Sequence, residues 1–453
     1  MQGMPRHRRG GGLMRAAFAH ALRLLAASAL CTLAQADPTS DPAAQMPSGQ
    51  PTGLINPPAT PPPSTGIARW LDPASAPFLP VPLIGVDPDS GTTLGLLPVK
   101  LLTDDNHDIR EIIAPDLLHN PYFGWGVDAR IYAYPSADEQ WSVIGGAKQR
   151  VERDFDAEYQ IGRLRESRWS FNASLLFNRN GTQRFFGIGN RTADAAQTNY
   201  TQQEELVQGQ LGYNLTQAWQ LLYTMRVQNV DVTPGTLQGI PSLQSRFGII
   251  MGFGTNQQVL HRVSIGYDTR DDVTAPKSGM EWVLYSGVAT RHGYFNDSMY
   301  SEAGIDGRDF WPIRPDTILA THVALRYLPT SDKVPFWALS NLGGESSQIG
   351  GDQPLRGYGT GRYYDLDAFS ATAELRQRVA VINAITSHIE LELAPFIDVG
   401  RVFSQASTVP FSQLHAVGGL GIRGLARPFV VGYVDIGYGT EGLAVFTGIN
   451  YPF

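Results

Sequence analysis

The sequence predicts an all-β protein whose strands close into an antiparallel transmembrane β-barrel of about 16 strands. Three observations predict this class. The chain opens with an export signal, and after that signal it has no run of the ~18 consecutive apolar residues that a membrane helix requires. Most of the remaining chain alternates apolar and polar residues between turns, which is the pattern of strands with two different faces.

Residues 1–36 have the features of a signal peptide. Basic side chains precede a mostly apolar segment at 22–33, and Ala34-Gln35-Ala36 supplies a small-residue cleavage site. Met14 competes with Met1 as the start, because residues 14–36 already form a complete signal. A lipoprotein signal at Cys31 is disfavoured, since such signals need Gly or Ala immediately before the cysteine. We expect cleavage after Ala36.

The composition of the mature chain excludes several functional classes. Cys31 is the only cysteine, so the mature chain can form no disulfide and no thiolate metal site. Without the five arginines of the signal, 30 basic side chains face 42 acidic ones, a formal net charge of −12. An acidic chain of this kind argues against a nucleic-acid partner.

The segment that follows the signal, 37–77, predicts an extended or disordered lead-in. Residues 37–80 hold twelve of the 31 prolines and little apolar content, too little to offset the entropy of folding. The segment is also too short to contain a folded periplasmic domain. We therefore expect the barrel to occupy residues 78–453.

The clearest strand patterns lie in the C-terminal half. The last segment, 443–453, alternates with an apolar face that ends in Tyr451 and Phe453, a C-terminal strand signal. Residues 388–403 alternate apolar side chains with carboxylates, among them Asp398. Alternation alone fits a soluble sandwich as well, because one face of such a sheet also meets water.

The lengths of the connections favour the barrel. Strands are expected from near 92–102 and 120–134 through to 443–453, an even number as single-chain barrels require. The long connections, 180–199, 232–258 and 329–364, all follow odd-numbered strands, as expected if one rim faces the cell exterior. Aromatic residues near the strand ends suit interfacial girdles. A secreted β-solenoid or sandwich remains the soluble alternative.

A loop arginine and two carboxylates form the candidate site. Arg356, Gly357 and Tyr358 lie in the longest Gly-rich connection, and the next two strands carry Glu374 and Asp398 on their inward faces. An arginine that meets two carboxylates inside a barrel presents a planar donor fork to them. The alternative is that both carboxylates merely line a watery lumen, as charges do in porins.

These residues resemble the BamA/TamA family of outer-membrane barrels, the bacterial surface-antigen superfamily. Arg356-Gly357-Tyr358 is similar to the arginine-glycine-aromatic motif that the family carries in the loop after its eleventh strand, where the strand count places it. The resemblance implies that Glu374 and Asp398 anchor that loop inside the lumen. It spans the barrel, roughly residues 78–453.

Two further segments carry the resemblance, 184–190 (RFFGIGN) and 266–271 (GYDTRD) with Pro276 and Gly279. For Asp268 and Arg270 a structural interpretation is favoured, either an ion pair in the lumen or a turn that fixes the end of a strand.

The resemblance implies a barrel in outer-membrane biogenesis, in the assembly or translocation of proteins or lipids through a plugged lumen with a lateral seam. It implies a location in the outer membrane of a Gram-negative bacterium, contact with its lipid, and client barrels or a periplasmic or lipoprotein partner. Family members that fold other barrels carry POTRA domains before the barrel, whereas only the Pro-rich lead-in is expected here. A solute-conducting outer-membrane pore is the alternative.

Nothing in the sequence predicts an enzyme. The segment 344–348 lacks the closing glycine of a nucleophile elbow, and the histidines of the mature chain are dispersed without metal-ligand spacing. We expect no catalytic residues, no metal site and no cofactor.

Overall fold

In a computed structural model, the described residues are 78–88, 91–104, 108–330, 333–346, 352–384, 387–404, 411–426 and 430–449. The predicted signal peptide (1–36), the lead-in (37–77) and the strand signal at Tyr451 and Phe453 lie outside these residues. Those expectations therefore stay predictions.

The described part of the chain is built from strands with few and short helices. The strands are β1 (Leu79–Asp87), β2 (Gly91–Thr103), β3 (Ile109–Ile113), β4 (Asp116–Asn120), β5 (Gly124–Ala133), β6 (Glu139–Lys148), β7 (Arg153–Ile161), β8 (Trp169–Phe185), β9 (Thr198–Asn214), β10 (Trp219–Pro234), β11 (Gly254–Asp268), β12 (Gly279–Thr290), β13 (Ser298–Arg314), β14 (Thr317–Thr330), β15 (Ser340–Leu342), β16 (Gly344–Ser346), β17 (Asp352–Leu355), β18 (Tyr363–Asp365), β19 (Asp367–Ala384), β20 (Ser387–Phe403), β21 (His415–Ala426), β22 (Val430–Gly439) and β23 (Gly442–Ile449). One short α-helix, α1 (Leu243–Phe247), and three 3₁₀ turns lie in the connections. No helix among these residues is long and apolar enough to cross a membrane.

Nineteen of the strands form one antiparallel sheet that closes on itself. Each strand pairs with its neighbours in the chain, and β1 also pairs with β23. Both β3 and β4 pair with β2 on one side and β5 on the other, so they are two halves of one barrel strand. The described residues therefore form a closed barrel of 18 strands. The barrel class is confirmed, but the predicted number of about 16 is wrong.

The two additional strands are β1 and the β3–β4 strand, and proline explains why their pattern was missed. Pro80 and Pro82 lie in β1, and Pro115 separates β3 from β4. Proline lacks the backbone N–H that a ladder needs, so a sequence pattern that contains it is read as a connection. In the structure these prolines lie at the edge of the seam and at a break between two half-strands.

In the part of the chain that the structure describes, the seam between β1 and β23 is the sparsest contact between neighbouring barrel strands. Among the described residues its register consists of one pair, Val86 with Val445, whereas β1 pairs with β2 over nine positions. Pro80 lies opposite Pro98 of β2, and two prolines cannot exchange hydrogen bonds. This position is therefore a non-hydrogen-bonded pair, in which the backbone groups of β1 point away from β2 and toward the seam. Because the pattern repeats every two residues, the backbone nitrogens of Pro80 and Pro82 both point toward the seam. The seam edge of β1 thus has no donor at these two positions.

Side-chain exposure distinguishes the two faces of the barrel wall. On β20, Leu393 and Ile397 are exposed, whereas Glu392 and Asp398 are buried. Large aromatic side chains on other strands are exposed in the same way, including Trp125, Trp169, Trp219 and Trp311. A soluble sandwich has the opposite arrangement, with its apolar face buried in a core. The apolar outer face and charged inner face are those of a barrel in lipid.

The connections alternate between two rims, as predicted from their lengths. The long ones, 186–197, 235–253, 331–366 and 404–414, all follow odd-numbered barrel strands. We call this end of the barrel the long-loop rim and the opposite end the short-turn rim. Because two strands were missed, the loop that carries Arg356 follows the thirteenth barrel strand, β14, and not the eleventh.

Candidate functional site

The connection between β14 and β19 folds into the barrel from the long-loop rim. Within it β15 pairs with β18 and β16 pairs with β17. Directly after β17 the chain makes a tight turn in which the Tyr358 N–H donates to the Leu355 carbonyl at 3.2 Å. Leu355, Arg356 and Tyr358 are fully buried at the tip of this turn. The turn therefore places a guanidinium inside the lumen.

Arg356 contacts both carboxylates that the sequence analysis singled out. Its Nε and Nη2 donate to Asp398 Oδ2 and Oδ1 at 3.0 and 2.8 Å, a bidentate pair, and its backbone N–H donates to Asp398 Oδ2 at 3.1 Å. Its Nη1 donates to Glu374 Oε2 at 3.0 Å. Because Glu374 lies on β19 and Asp398 on β20, one loop residue connects two barrel strands.

Three further charged residues, which the sequence analysis missed, complete the site. Asp435 on β22 accepts from Arg356 Nη1 at 2.8 Å. Arg423 on β21 donates to Asp435 and, at 2.8 Å, to Glu374. Arg376 on β19 donates from Nε to Glu374 Oε1 at 2.9 Å. We call these six residues, Arg356, Glu374, Arg376, Asp398, Arg423 and Asp435, the lumen charge cluster.

The lumen charge cluster is electrically balanced and fully buried. Its three guanidinium groups and three carboxylates have no exposed side-chain surface. Burial by itself lowers the pKa of Arg356, but the charges of Asp398, Asp435 and Glu374 outweigh burial and hold that pKa well above its usual value. The guanidinium carbon also lies 3.4 Å from the centre of the Phe396 ring. Arg356 is therefore a permanent cation that four neighbouring strands, β19 to β22, hold in place.

A signal for two of the missed residues is present in the sequence. Asp435 is the only charged residue in β22, and Arg423 is the only arginine, lysine or carboxylate in β21. Each is flanked by apolar residues that face outward, so alternation places both inside the lumen. Which of the many lumen charges converge on Arg356 depends on how far neighbouring strands are staggered, and that is not visible in the sequence.

Glycines on β22 allow the loop backbone to approach the barrel wall. A Cβ added to Gly437 would lie 2.1 Å from the carbonyl oxygen of Arg356, and one added to Gly357 would lie 2.7 Å from the backbone nitrogen of Gly439. Both distances are far below van der Waals contact. Gly437 and Gly439 lie on the same inward face of β22 as Asp435, so this strand is shaped to receive the Arg356 turn.

The same loop contacts strand ends on both sides of the seam. The Thr360 N–H donates to Asp87 Oδ2, at the end of β1, at 3.1 Å. The Tyr358 hydroxyl lies 3.0 Å from the Thr440 hydroxyl, in the turn between β22 and β23. The loop thus spans the long-loop end of the seam, with one contact on each side.

Arg362 makes a second ionic anchor nearer the rim. It pairs with Glu441 in the β22–β23 turn, at 2.7 Å from Nη2 to Oε1, and donates to Thr192 in the loop after β8. Its guanidinium also stacks on Phe186, within the 184–190 motif, at 4.2 Å. In the same motif the Gly189 N–H donates to the Tyr364 carbonyl at 2.7 Å. The 184–190 motif therefore contacts the connection that carries Arg356-Gly357-Tyr358.

We expect the Arg362–Glu441 pair to couple by about 1 kcal/mol in a double-mutant cycle, because Arg362 is buried but Glu441 is partly exposed and screened by water. The measurement compares urea-unfolding midpoints of Arg362→Ala, Glu441→Ala and the double variant. Additive single effects would show that the pair contributes nothing to anchoring the loop.

An apolar cap closes the lumen near the long-loop rim. It is formed by side chains of the β10–β11 and β14–β19 connections packed against inward residues of the barrel, namely Phe185, Tyr200, Val230, Val232, Leu243, Leu260, Ala289, Tyr300, Leu328, Val334, Phe336, Trp337, Ala338, Leu339 and Tyr364. Arg326 of β14 ties this cap to the wall by donating to the Ala338 carbonyl at 3.0 Å and to Glu302 at 2.9 Å. The loops therefore obstruct the lumen with a packed core in addition to the lumen charge cluster.

Asp268 and Arg270 form an ion pair at 2.8 Å on the short-turn rim, as their structural interpretation predicted. The Arg270 N–H also donates to Asp268 Oδ1, so the pair fixes the end of β11. No group of three or more potential metal ligands occurs among the described residues.

Comparison with known families matches residues 139–438 to the Omp85 superfamily domain. A search of curated proteins finds no match. Among solved structures, BamA from Haemophilus ducreyi lacking POTRA domains 1–3 is 12% identical over 78% of this chain and 75% of that chain, with a TM-score of 0.46.

CdiB from Escherichia coli is 11% identical over 79% of this chain and 67% of that chain, with a TM-score of 0.51, a likeness of fold alone. The family match is of a different kind, because it is made on the sequence and spans more than half of the chain. It confirms the resemblance that the loop motif and its carboxylates indicated. The chain belongs to the Omp85 superfamily.

Proposed function

We propose that this protein acts in outer-membrane biogenesis, in the assembly or translocation of proteins or lipids, by opening the barrel at the seam between β1 and β23. Omp85 superfamily barrels are outer-membrane proteins of Gram-negative bacteria, and we propose the same location for this chain. Outer-membrane lipid then contacts the apolar outer face. Client barrels, or a periplasmic or lipoprotein partner, would bind the protein in or at that membrane.

The observation that carries the proposal is the sparse seam. Val86 and Val445 form its one registered pair among the described residues, and Pro80 and Pro82 remove two donors from its edge. Opening exposes the edge of β23, which contains no proline and is a template for another strand, and the gap is a path for lipid. Among the described residues, opening this seam breaks fewer backbone hydrogen bonds than separating any other pair of neighbouring barrel strands.

The folded loop supports the same function in a second way. Opening only the seam requires that the remaining strands stay together while β1 moves. The lumen charge cluster ties β19 to β22 as one unit, and the contacts of Thr360 with Asp87 and of Tyr358 with Thr440 hold the long-loop end. We propose that these contacts keep the barrel closed at rest and that Arg356 braces the strands beside the seam.

Quantitative outer-membrane proteomics after depletion of this protein tests the proposed role. Loss of one or several other barrels assigns the protein to assembly. An unchanged barrel complement with an altered lipid composition assigns it to lipid translocation. If the barrel complement and the lipid composition are both unchanged, the proposed role in biogenesis is wrong.

A covalent lock tests whether the seam must open. The predicted mature chain has no cysteine, so Val86→Cys with Val445→Cys places one disulfide across the seam. We expect this variant to restore the outer membrane of depleted cells only under reducing conditions. The control, Val434→Cys with Thr447→Cys, locks β22 to β23 and should restore it in both conditions. Full restoration by the oxidised seam variant would contradict lateral opening.

A solute pore is the second candidate, and the polar inner wall near the short-turn rim favours it. Glutamine, asparagine and arginine side chains line a cavity of about 510 Å³ there. A large, stable conductance in a planar bilayer would support the pore. We expect small, transient currents, because the apolar cap and the Arg356 turn obstruct the other end of the lumen.

A further inference from the structure

The polar cavity at the short-turn rim has the features of a binding site. Its volume is about 510 Å³, and two turns bound it, residues 162–168 between β7 and β8 and residues 269–278 between β11 and β12. Both turns follow even-numbered barrel strands, so the cavity lies at the opposite end of the lumen from the apolar cap and the Arg356 turn.

The charged side chains that line this cavity are mainly cationic. They are four arginines and one glutamate, Arg163, Arg165, Arg270, Arg308 and Glu281. Side-chain amides provide most of the remaining polar lining, namely Gln140, Gln160, Asn172, Gln210 and Gln220. Guanidinium groups and amides together are donors suited to an oxygen-rich anion.

Three of the four arginines have carboxylate partners. Asp268 accepts from Arg165 and from Arg270, both at 2.8 Å. Glu281 lies 3.1 Å from Arg270 and 3.3 Å from Arg308. Arg308 also lies 3.4 Å from Asp306, which in turn contacts His322. These groups form a shared network that holds the three arginines in position.

Arg163 has no ion-pair partner among the residues that the structure describes. Its side-chain hydrogen bond is from Nη2 to the Thr274 hydroxyl at 3.4 Å. Two carboxylates act on Arg163 through their charge, Asp138 before β6 and Asp272 in the 269–278 turn. Both accept backbone N–H groups of the turns at 162–168 and 269–278. Burial lowers the pKa of Arg163 and the charge of Arg270 acts in the same direction, while the charges of Tyr134, Asp272 and Asp138 offset this lowering only in part. A partly buried cation that lacks a counter-ion is stabilised by a bound anion.

We infer that this cavity binds a phosphate-type oxyanion, with Arg163 as the residue that pairs with it directly. Arginine binds phosphate oxygens in a bidentate manner, and several arginines around one space favour a multiply charged anion over a monocarboxylate. The cavity is larger than a phosphate group, so the neighbouring amides would contact the polar substituent of a phosphate ester. The shared chemistry is the phosphate group, free or in a lipid headgroup.

Isothermal titration of the folded full chain in nonionic detergent, with inorganic pyrophosphate as the probe, tests this inference. We expect binding to the unchanged protein and at least tenfold weaker binding to Arg163→Gln. Arg163→Lys should fall between the two, because it keeps the charge but loses the planar donor fork. The control is Arg246→Gln, an exposed arginine of α1 at the other rim, and it should bind as the unchanged protein does.

Each variant is first shown to be folded by its heat-dependent electrophoretic shift. Equal binding by Arg163→Gln, or no binding by the unchanged protein, would overturn the site. Acetate that binds as tightly as pyrophosphate would overturn the phosphate class. Titrations with glycerol 3-phosphate and with a short-chain phosphatidic acid distinguish a free phosphate ester from a lipid headgroup. Tighter binding of the phosphatidic acid would show that the cavity binds a lipid headgroup, and equal binding of the two would show that it binds a free ester.

Discussion

Replacement of Arg356 by alanine is expected to lower the free energy of unfolding of the barrel by about 3–5 kcal/mol. The change leaves three buried carboxylates, Glu374, Asp398 and Asp435, with only two arginines. Asp398 loses its bidentate partner and keeps the 3.0 Å hydrogen bond from the Thr372 hydroxyl. The measurement is the urea-unfolding midpoint of the detergent-folded barrel, followed by tryptophan fluorescence.

The matched control for this prediction is Arg378→Ala. Arg378 also pairs with an aspartate, Asp316, but both side chains are exposed to solvent, so little or no change in the midpoint is expected. Arg356→Lys should be intermediate, because a lysine keeps the charge but cannot contact Asp398 through two parallel hydrogen bonds. If Arg356→Ala and Arg378→Ala shift the midpoint equally, the bracing role of Arg356 is wrong.

The second large effect is expected for Gly437→Ala. The added methyl group would lie 2.1 Å from the Arg356 carbonyl oxygen and 2.7 Å from the carbonyl carbon, both backbone atoms that cannot rotate away. The Arg356 turn must then leave its position, at a cost of about 1–3 kcal/mol. Since Arg356 and Arg362 are buried in the native loop, their displacement creates new trypsin sites.

Limited trypsin digestion followed by mass spectrometry measures this displacement through fragments that end at Arg356 or Arg362. Gly432→Ala is a close control, because it lies on the same strand and an added Cβ has no heavy atom within 4 Å. We expect protection of both sites in the control and cleavage in Gly437→Ala. Protection in both variants would show that β22 does not need its glycine to receive the loop.

The closed barrel, the alternation of its rims and the inward direction of Glu374 and Asp398 could be predicted because they follow from local rules. Side chains alternate with period two along a strand, and connections alternate between rims in an antiparallel barrel. The strand count could not be predicted in the same way, because Pro80, Pro82 and Pro115 obscure the pattern of two strands. Pro80 and Pro82 are tolerated because their nitrogens face the sparsely paired seam, and Pro115 is tolerated because it lies between two half-strands.

The class of fold, the loop that carries Arg356 and the faces on which its carboxylates lie all follow from the amino-acid sequence. That Arg376, Arg423 and Asp435 join them is visible only in the folded barrel. The reason is geometric, since a turn reaches the lumen at one depth and the stagger of neighbouring strands brings particular residues to that depth. The same applies to Arg163, because only the positions of the described carboxylates show that none of them forms an ion pair with it.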